Sequence, residues 1–393
     1  MAETDNTSLS ERVKGALIIL KDQCMFSLLQ LKLQGSDGGI GCGVSFSKAS
    51  VHVSLPSVKT RQSYRFMDSF TEIFKTGNSI LMDFVTNKKI SKEVDSHLLD
   101  ILLAFIRRSE DASKGLHGKD SERESEWSAR LAVHLFLPLS MRKDFILDIH
   151  SMKKPKECPC SCKTDIRYGD TTIGNPDTWF GRLDIIIGKS MSEQEKRKRP
   201  RLEAEADVGA TVVTEDSDDD LSDQDAADDE LSQIKVKSDN LAGHLSQFVS
   251  QTIVFSFYQK KCNENLSFVP SIGINKNRIQ FHFYDAENDI YLLSQEIPLF
   301  DAENHLILPT VIATWLVLNY KHLLTGPTTE MINDDKFGFH SKIPPGSLNL
   351  YKHEMKMGTP IQPKILEITN AVYQDYMIRK IATKEVDARY QQS

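Results

Sequence analysis

Two short segments of the chain contain the residue types that could carry out chemistry. The first, 181–188, is an isoleucine-rich run with a single carboxylate, Asp184. The second, 233–238, alternates apolar residues with Lys235 and Lys237, and side chains two apart on a strand point to the same face. A carboxylate that holds Mg²⁺ beside a lysine that donates to a phosphate is suited to phosphodiester hydrolysis.

The surrounding pattern predicts the elements that must position these residues. Trp127 and Leu131 lie on the apolar face of a predicted helix that Pro138 ends, and Asp239 or Asn240 is placed to cap a later helix. The predicted elements are, in order, a helix at 121–137, strands at 165–168, 178–188 and 233–237, a helix at 239–261 and a strand at 268–274. The functional segments are therefore expected on strands of one sheet.

This order resembles the PD-(D/E)XK nuclease superfamily over about residues 121–275, apart from an insertion. The resemblance is carried by Gly181 and Asp184 in an isoleucine-rich strand, by the lysine strand, and by the helix that follows with Gln247 and Gln251. It implies an α/β (α+β) fold with a restriction-endonuclease-like core, a mixed central sheet flanked by helices. It also implies catalytic roles for the residues that match the motif: Asp184 as the Mg²⁺ ligand, Lys237 as the activating cation and Glu126 as a supporting acid.

The chain departs from the family pattern at Lys235, which stands where the second metal-binding acid belongs. A cation at that position would repel a metal ion. We therefore expect a nuclease-like protein with impaired catalysis that binds nucleic acid or a protein partner through a cleft between Asp184 and Lys237. Lys235, Gln233 and Gln247 are the predicted contacts to phosphate.

Other interpretations of these residues stay open. An active Mg²⁺-dependent nuclease is one alternative, if other acids replace the missing ligand, and an interaction scaffold unrelated to nucleases is another. The acids that could substitute are Glu126, Asp177, Asp229 and Glu230. Asp184 could instead be a buried structural group paired with Arg182 or Arg130, and the lysines could be the solvated face of an edge strand.

Composition divides the chain into four parts. Residues 1–108 form a mixed α/β region packed on the core, 109–188 with 231–325 form the nuclease-like core, and 326–393 form an extension that ends in a helix at 363–389. Between 189 and 230 there is little apolar content to offset the entropy of ordering, which predicts a disordered insertion. Further predicted elements are helical turns around 13–29, strands at 44–46 and 51–55, helices near 73–84 and 98–105, a loop at 109–122, a hairpin at 278–297 and a helix at 309–323.

The insertion combines a basic run with an acidic tract. Residues 203–230 contain thirteen acids and no lysine or arginine, and the basic run adds five positive charges. Outside these two segments the net charge is +1, although that of the whole chain is −7. The basic run favours recognition by a nuclear import receptor and thus a nuclear protein. It consists of Lys196, Arg197, Lys198, Arg199 and Arg201. The longest apolar stretch, 306–318, is too short for a membrane span, and no secretory signal is predicted.

Three of the six cysteines form a tight run, Cys158, Cys160 and Cys162. The run lacks the C-x2-C spacing of common zinc sites, and the nearest upstream histidine is His150, eight residues away. The spacing favours a structural or incidental role for these thiols over metal binding.

Overall fold

A computed structural model describes residues 2–54, 67–118, 123–152, 154–188, 231–333 and 336–358. The predicted disordered insertion at 189–230 and the predicted helix at 363–389 lie outside these ranges. So do the basic run and the acids Asp229 and Glu230. Among the described helices, none combines the length and apolar character that crossing a membrane requires.

The structure has a mixed central sheet flanked by helices, which confirms the predicted α/β class. The strands are β1 Ser27–Gln30, β2 Lys32–Ser36, β3 Val44–Ser45, β4 Val51–Ser54, β5 Met67–Ser69, β6 Phe145–Asp148, β7 Tyr168–Gly169, β8 Thr172–Gly174, β9 Trp179–Arg182, β10 Ile185–Ile187, β11 Ser232–Val236, β12 Phe268–Ile274, β13 Arg278–Asp285, β14 Ile290–Ser294, β15 Ile297–Pro298 and β16 Lys356–Met357. The central sheet has the order β5-β1-β14-β13-β12-β11-β10-β6-β7, with β15 also paired to β13. Two smaller sheets have the orders β16-β8-β9-β3 and β2-β4.

Helices cover both faces of the central sheet. They are α1 Ala2–Asp22, α2 Phe70–Ile73, α3 Lys75–Val85, α4 Glu93–Arg107, α5 Ser109–Leu116, α6 Glu124–Leu131, α7 Leu137–Leu139, α8 Leu245–Cys262, α9 Leu308–Leu318, α10 Tyr320–Leu323, α11 Thr329–Asn333, α12 Phe339–Lys342 and α13 Pro345–His353. A π-helical turn, Ala132–Phe136, joins α6 to α7, and 3-10 turns occupy Cys24–Phe26, Phe46–Lys48 and Leu241–His244.

Side chains of successive residues of β13 pack against helices on opposite faces of the central sheet. Phe283 packs against Phe70 of α2, while His282 packs against Phe248 of α8 on the opposite face. Because neighbouring strand residues point to opposite sides, both faces of this strand are buried, the Phe283 face under α2 and the His282 face under α8. Every residue of β12 is buried for the same reason.

The order of the strands follows from their connections. β6, β10 and β11 are antiparallel neighbours, whereas β11 and β12 run parallel with α8 between them in the chain. A parallel pair needs a long crossover, and α8 supplies it. Asn240 accepts a hydrogen bond from the backbone N–H of Ala242 at 2.9 Å, which fixes the start of this crossover.

Local predictions were wrong at four places. The predicted strand at 165–168 contains only the isolated bridge of Asp165 to Glu157 and the first residue of β7. Residues 25–29, predicted to continue a helix, contain β1 of the central sheet, so the leading region shares its sheet with the core. The predicted loop at 109–122 contains α5, where Ala112 and Leu116 are buried against neighbouring helices. The predicted strand at 178–188 is two strands in different sheets, β9 and β10, with Asp184 at the break between them.

Candidate functional site

Asp184 lies where the chain passes from the small sheet to the central sheet. Immediately after it, β10 pairs with β11 so that Ile185 faces Ile234. This register brings the Asp184 carboxylate to Lys235, whose Nζ donates a hydrogen bond to it. The backbone N–H of Val236 donates a second hydrogen bond, at 2.7 Å. The two motif segments, far apart in the chain, therefore meet as predicted.

The Asp184–Lys235 ion pair is largely withdrawn from water. The two side chains are 17% and 15% exposed, so each charge depends on its partner for compensation. Lys235 fills the space beside the carboxylate with its own ammonium group.

Two further charged groups share the electrostatic environment of this pair. The pKa of Lys237 is lowered by partial burial and then by the charge of Lys235, while Glu124 and Asp184 raise it. The pKa of Glu124 is raised by desolvation and then by the charge of Asp184, while the two lysines lower it. Glu124 of α6 remains exposed to solvent, and it is the helix acid whose charge interacts with Asp184 and the two lysines.

A cavity of about 480 Å³ opens next to Asp184. The charged and amide side chains in its wall are Asp148, Asp170, Arg182, Asp184, Lys235 and Gln247. Asp148 accepts the backbone N–H of His150 at 2.9 Å and lies 3.5 Å from Nε of Arg182. Three carboxylates and two permanent cations leave the wall without an excess of positive charge.

Aromatic groups and a glycine complete the cavity wall. Phe180, partly exposed, and the ring of Phe46 both line it. Gly181 permits this packing because a Cβ there would lie 2.4 Å from the Phe46 ring. Gln251 of α8 donates to the carbonyl of Arg182 at 3.3 Å and so ties the wall to the crossover helix.

The structure distributes the predicted site residues unevenly. Asp184, Lys235 and Gln247 line one cavity. Gln233 does not reach it, because this side chain is 3% exposed and donates to the hydroxyl of Ser271 in the interior. The prediction of a phosphate contact for Gln233 is therefore corrected.

Glu126 has a local role in its helix. Its carboxylate accepts the backbone N–H of Arg123 at 2.9 Å and so caps the first turn of α6. The arginines considered as partners of Asp184 also have other contacts: Arg182 faces Asp148, and Arg130 donates to the carbonyls of Gly115 and Pro159. Lys235 is the ion-pair partner of Asp184 instead.

Sequence reasoning missed the acids Glu124, Asp148 and Asp170. Asp148 ends the apolar run of β6 much as Asp184 begins that of β10, and this symmetry was a usable signal. Asp170 and Glu124 carried no comparable signal, because they reach the site through the tertiary arrangement of separate elements.

Mg²⁺ does not fit the residues around Asp184. Within the described part of the chain, the acids near Asp184 do not form a group of three or more ligand atoms spaced for a metal ion. Mg²⁺ is usually held by one or two carboxylates and several waters in octahedral geometry, and here the Lys235 ammonium occupies the space against the Asp184 carboxylate.

A different group of side chains does have ligand spacing. His134, Cys158, Cys160 and Cys162 bring one nitrogen and three sulfurs within 4.8 Å of one another. His150, the histidine considered from the sequence, lines the cavity near Asp184 instead.

Comparisons with known proteins give no independent guide to this chain. A scan against protein-family models and searches of curated proteins and of solved structures each find no match.

Proposed function

We propose that this protein is a nuclease-like binding domain that contacts nucleic acid without cleaving it. One observation carries the proposal: the Lys235 ammonium lies against the Asp184 carboxylate, at the position where the related enzymes would need a metal ion. The charge that Mg²⁺ would supply is thereby provided by a side chain, which can attract a phosphate but cannot activate water as a metal does.

The chain topology supports the relationship to PD-(D/E)XK nucleases. The elements α6, β6, β10, β11, α8 and β12 occur in this order along the chain, with β7, β8 and β9 between β6 and β10, as helix, three antiparallel neighbours, crossover helix and parallel strand. The resemblance was inferred from a similar order whose first strand was predicted at 165–168, where the structure has only β7, Tyr168–Gly169. A restriction-endonuclease-like core is part of the proposal on that ground.

The cavity offers two kinds of contact to a single strand of nucleic acid. Arg182 of the cavity wall is half exposed. Lys237 follows β11 outside that wall and is partly exposed, and each of these two cations can donate to a phosphate. Phe180 offers a ring on which a base can stack. Because the wall also holds three carboxylates, we expect local contacts and modest affinity rather than long-range attraction.

Binding is tested by fluorescence anisotropy with labelled single-stranded DNA in a buffer that contains neither Mg²⁺ nor Mn²⁺ and no chelator. We expect Arg182→Ala and Lys237→Ala each to weaken binding several-fold. Each should also reduce the slope of log K against log salt concentration by about 1, the value for one phosphate contact. Lys336→Ala is the matched control, since this exposed lysine is neither in the cavity wall nor among the charged groups that act on Lys237. Binding that is absent, or equally affected by all three variants, would refute the nucleic-acid role and favour a protein partner or an unrelated scaffold.

Catalysis is tested separately, with plasmid and single-stranded DNA in Mg²⁺ or Mn²⁺. For the wild-type chain we expect no cleavage and no calorimetric signal when Mg²⁺ or Mn²⁺ is added. Lys235→Glu, which places an acid in the family position, is expected to bind Mn²⁺. Cleavage by the wild-type chain that disappears in Asp184→Asn would establish the active nuclease instead.

Nuclear localisation remains a prediction from the basic run at 196–201. Replacing its five cations by alanine in a fluorescent fusion is expected to move the protein out of the nucleus. An unchanged distribution would contradict recognition by an import receptor.

A further inference from the structure

We propose that His134, Cys158, Cys160 and Cys162 form a structural zinc site. Nε2 of the histidine lies 3.0 Å from the sulfur of Cys160, 3.5 Å from that of Cys158 and 3.7 Å from that of Cys162. All four ligand atoms fall within 4.8 Å of one another. No disulfide joins any of the six cysteines, all of which lie in described residues.

These separations are those of a tetrahedral metal shell. Zinc binds sulfur at about 2.3 Å and nitrogen at about 2.0–2.1 Å, so tetrahedral angles separate a nitrogen and a sulfur by about 3.5–3.6 Å. The three measured distances scatter around that value. Three soft sulfurs and one imidazole are a ligand set that selects zinc over the hard cations Mg²⁺ and Ca²⁺.

The histidine is positioned by an irregular helix and a glycine. His134 lies in the π-helical turn Ala132–Phe136, a feature that redirects side chains and is frequent at functional sites. Gly115 of α5 leaves room for its ring, because a Cβ there would lie 2.5 Å from Nδ1 of the imidazole. Two separate helices thus have local features that accommodate one imidazole.

The cysteines are positioned by a short hairpin. The backbone N–H of Cys158 donates to Thr164 at 2.8 Å, and that of Ile166 donates to Lys156 at 2.9 Å, so the chain turns back around the three thiols. Arg130 joins this hairpin to the helices by donating to the carbonyls of Pro159, at 3.0 Å, and Gly115, at 2.7 Å. The histidine and the cysteines are therefore held against each other by contacts outside the cluster.

Four protein ligands leave no coordination position for a substrate, which is the pattern of structural zinc. The hairpin lies in the chain between Asp148, at the end of β6, and Asp170, just after β7. Both acids line the cavity beside Asp184. A metal ion that fixes the hairpin to the helices would thus fix one wall of that cavity.

The first experiment measures metal content. The full chain is purified with reductant and Zn²⁺, desalted, and analysed by plasma mass spectrometry. We expect about one zinc per chain in the wild type and in Cys24→Ser, whose thiol is exposed and outside the cluster. Cys162→Ser, Cys160→Ser and His134→Gln are expected to lose most of it.

The second experiment separates loss of a ligand from loss of folding. Cys162 is exposed, so its serine variant is expected to keep the wild-type circular dichroism while its metal content falls. Titration with Co²⁺ gives a direct reading of geometry, since a tetrahedral thiolate site produces intense visible absorption. We expect these bands in the wild type and in Cys24→Ser, and reduced bands in Cys162→Ser.

A folded wild-type protein that retains no zinc and gives no tetrahedral Co²⁺ bands would overturn this assignment. Zinc retained equally by Cys24→Ser and Cys162→Ser would also overturn it. Neither result bears on DNA binding by Arg182 and Lys237, which is measured on the protein as purified and without a chelator, so the zinc site and the proposed function can fail independently.

Discussion

Replacement of Lys235 by methionine is expected to destabilise the fold through the charge that it leaves behind. Asp184 would keep the N–H of Val236 but lose its cation in a position that is 17% exposed. Removing one partner of a buried ion pair costs about 3–5 kcal/mol, whereas an exposed pair contributes about 0–1 kcal/mol. Because water has limited access to Asp184, the cost should be smaller than for a fully buried pair. We expect Lys235→Met to lower the free energy of unfolding by about 2–3 kcal/mol.

The assay is urea unfolding at pH 7 for Lys235→Met, Asp184→Asn and the double variant, followed by tryptophan fluorescence and circular dichroism. Coincident transitions with a constant urea dependence allow the free energies to be compared. Because the double variant leaves no unpaired charge, its loss should be smaller than the sum of the single losses by about 1–2 kcal/mol.

The matched control for this cycle is Lys75→Met, which removes an exposed pair with Glu72 at 3.3 Å and should cost less than about 1 kcal/mol. A loss for Lys235→Met no larger than that of the control would refute the reasoning. Additivity of the two single variants within about 0.5 kcal/mol would do so as well.

Three other perturbations test separate features of the molecule. Gly115→Ala should displace the His134 ring, since its new Cβ would lie 2.5 Å from Nδ1, and we expect lower zinc content at an unchanged secondary structure. Asp289→Ala should lower the free energy of urea unfolding by about 2–4 kcal/mol, because this carboxylate accepts hydrogen bonds from the hydroxyl of Tyr284 at 2.9 Å and from three successive backbone N–H groups. A loss below about 1 kcal/mol would contradict that role. Burial lowers the pKa of His282 to about 3, so the unfolded chain takes up a proton below about pH 6.5 that the folded chain excludes. Between about pH 6 and 4, this residue should therefore lower the free energy of unfolding by about 1.4 kcal/mol for each pH unit of acidification. In His282→Gln, the slope of the free energy of unfolding against pH should be smaller by the amount that one proton contributes.

Elements with strong local patterns were predicted well from the sequence. The strand at 268–274 matches β12 residue for residue, and the hairpin at 278–297 appears as β13 and β14 with a short β15 after them. These segments are apolar runs bounded by polar turns, and that pattern limits the choice of structure. The helix predicted at 309–323 is α9 followed by α10, with a break at Asn319.

Elements whose structure depends on distant partners were predicted poorly. The residues of β1 have helical spacing, but they are a strand because β14 and β5 pair with them on either side. The turn from β9 to β10 gave no local signal, since it separates two sheets that only the folded chain defines. Intrinsic preference is a weak prior where tertiary contacts favour another structure.

The sequence by itself determined the class of the fold, the meeting of the Asp184 strand with the lysine strand, and the presence of a cation, Lys235, on the latter. Period-two alternation and apolar runs carry that information locally. Only the tertiary structure decided that Lys235 pairs with Asp184, that Gln233 is buried, and that His134 joins three cysteines more than twenty residues away. Register between strands and packing between helices set which side chains meet, and neither is encoded in the spacing of one segment.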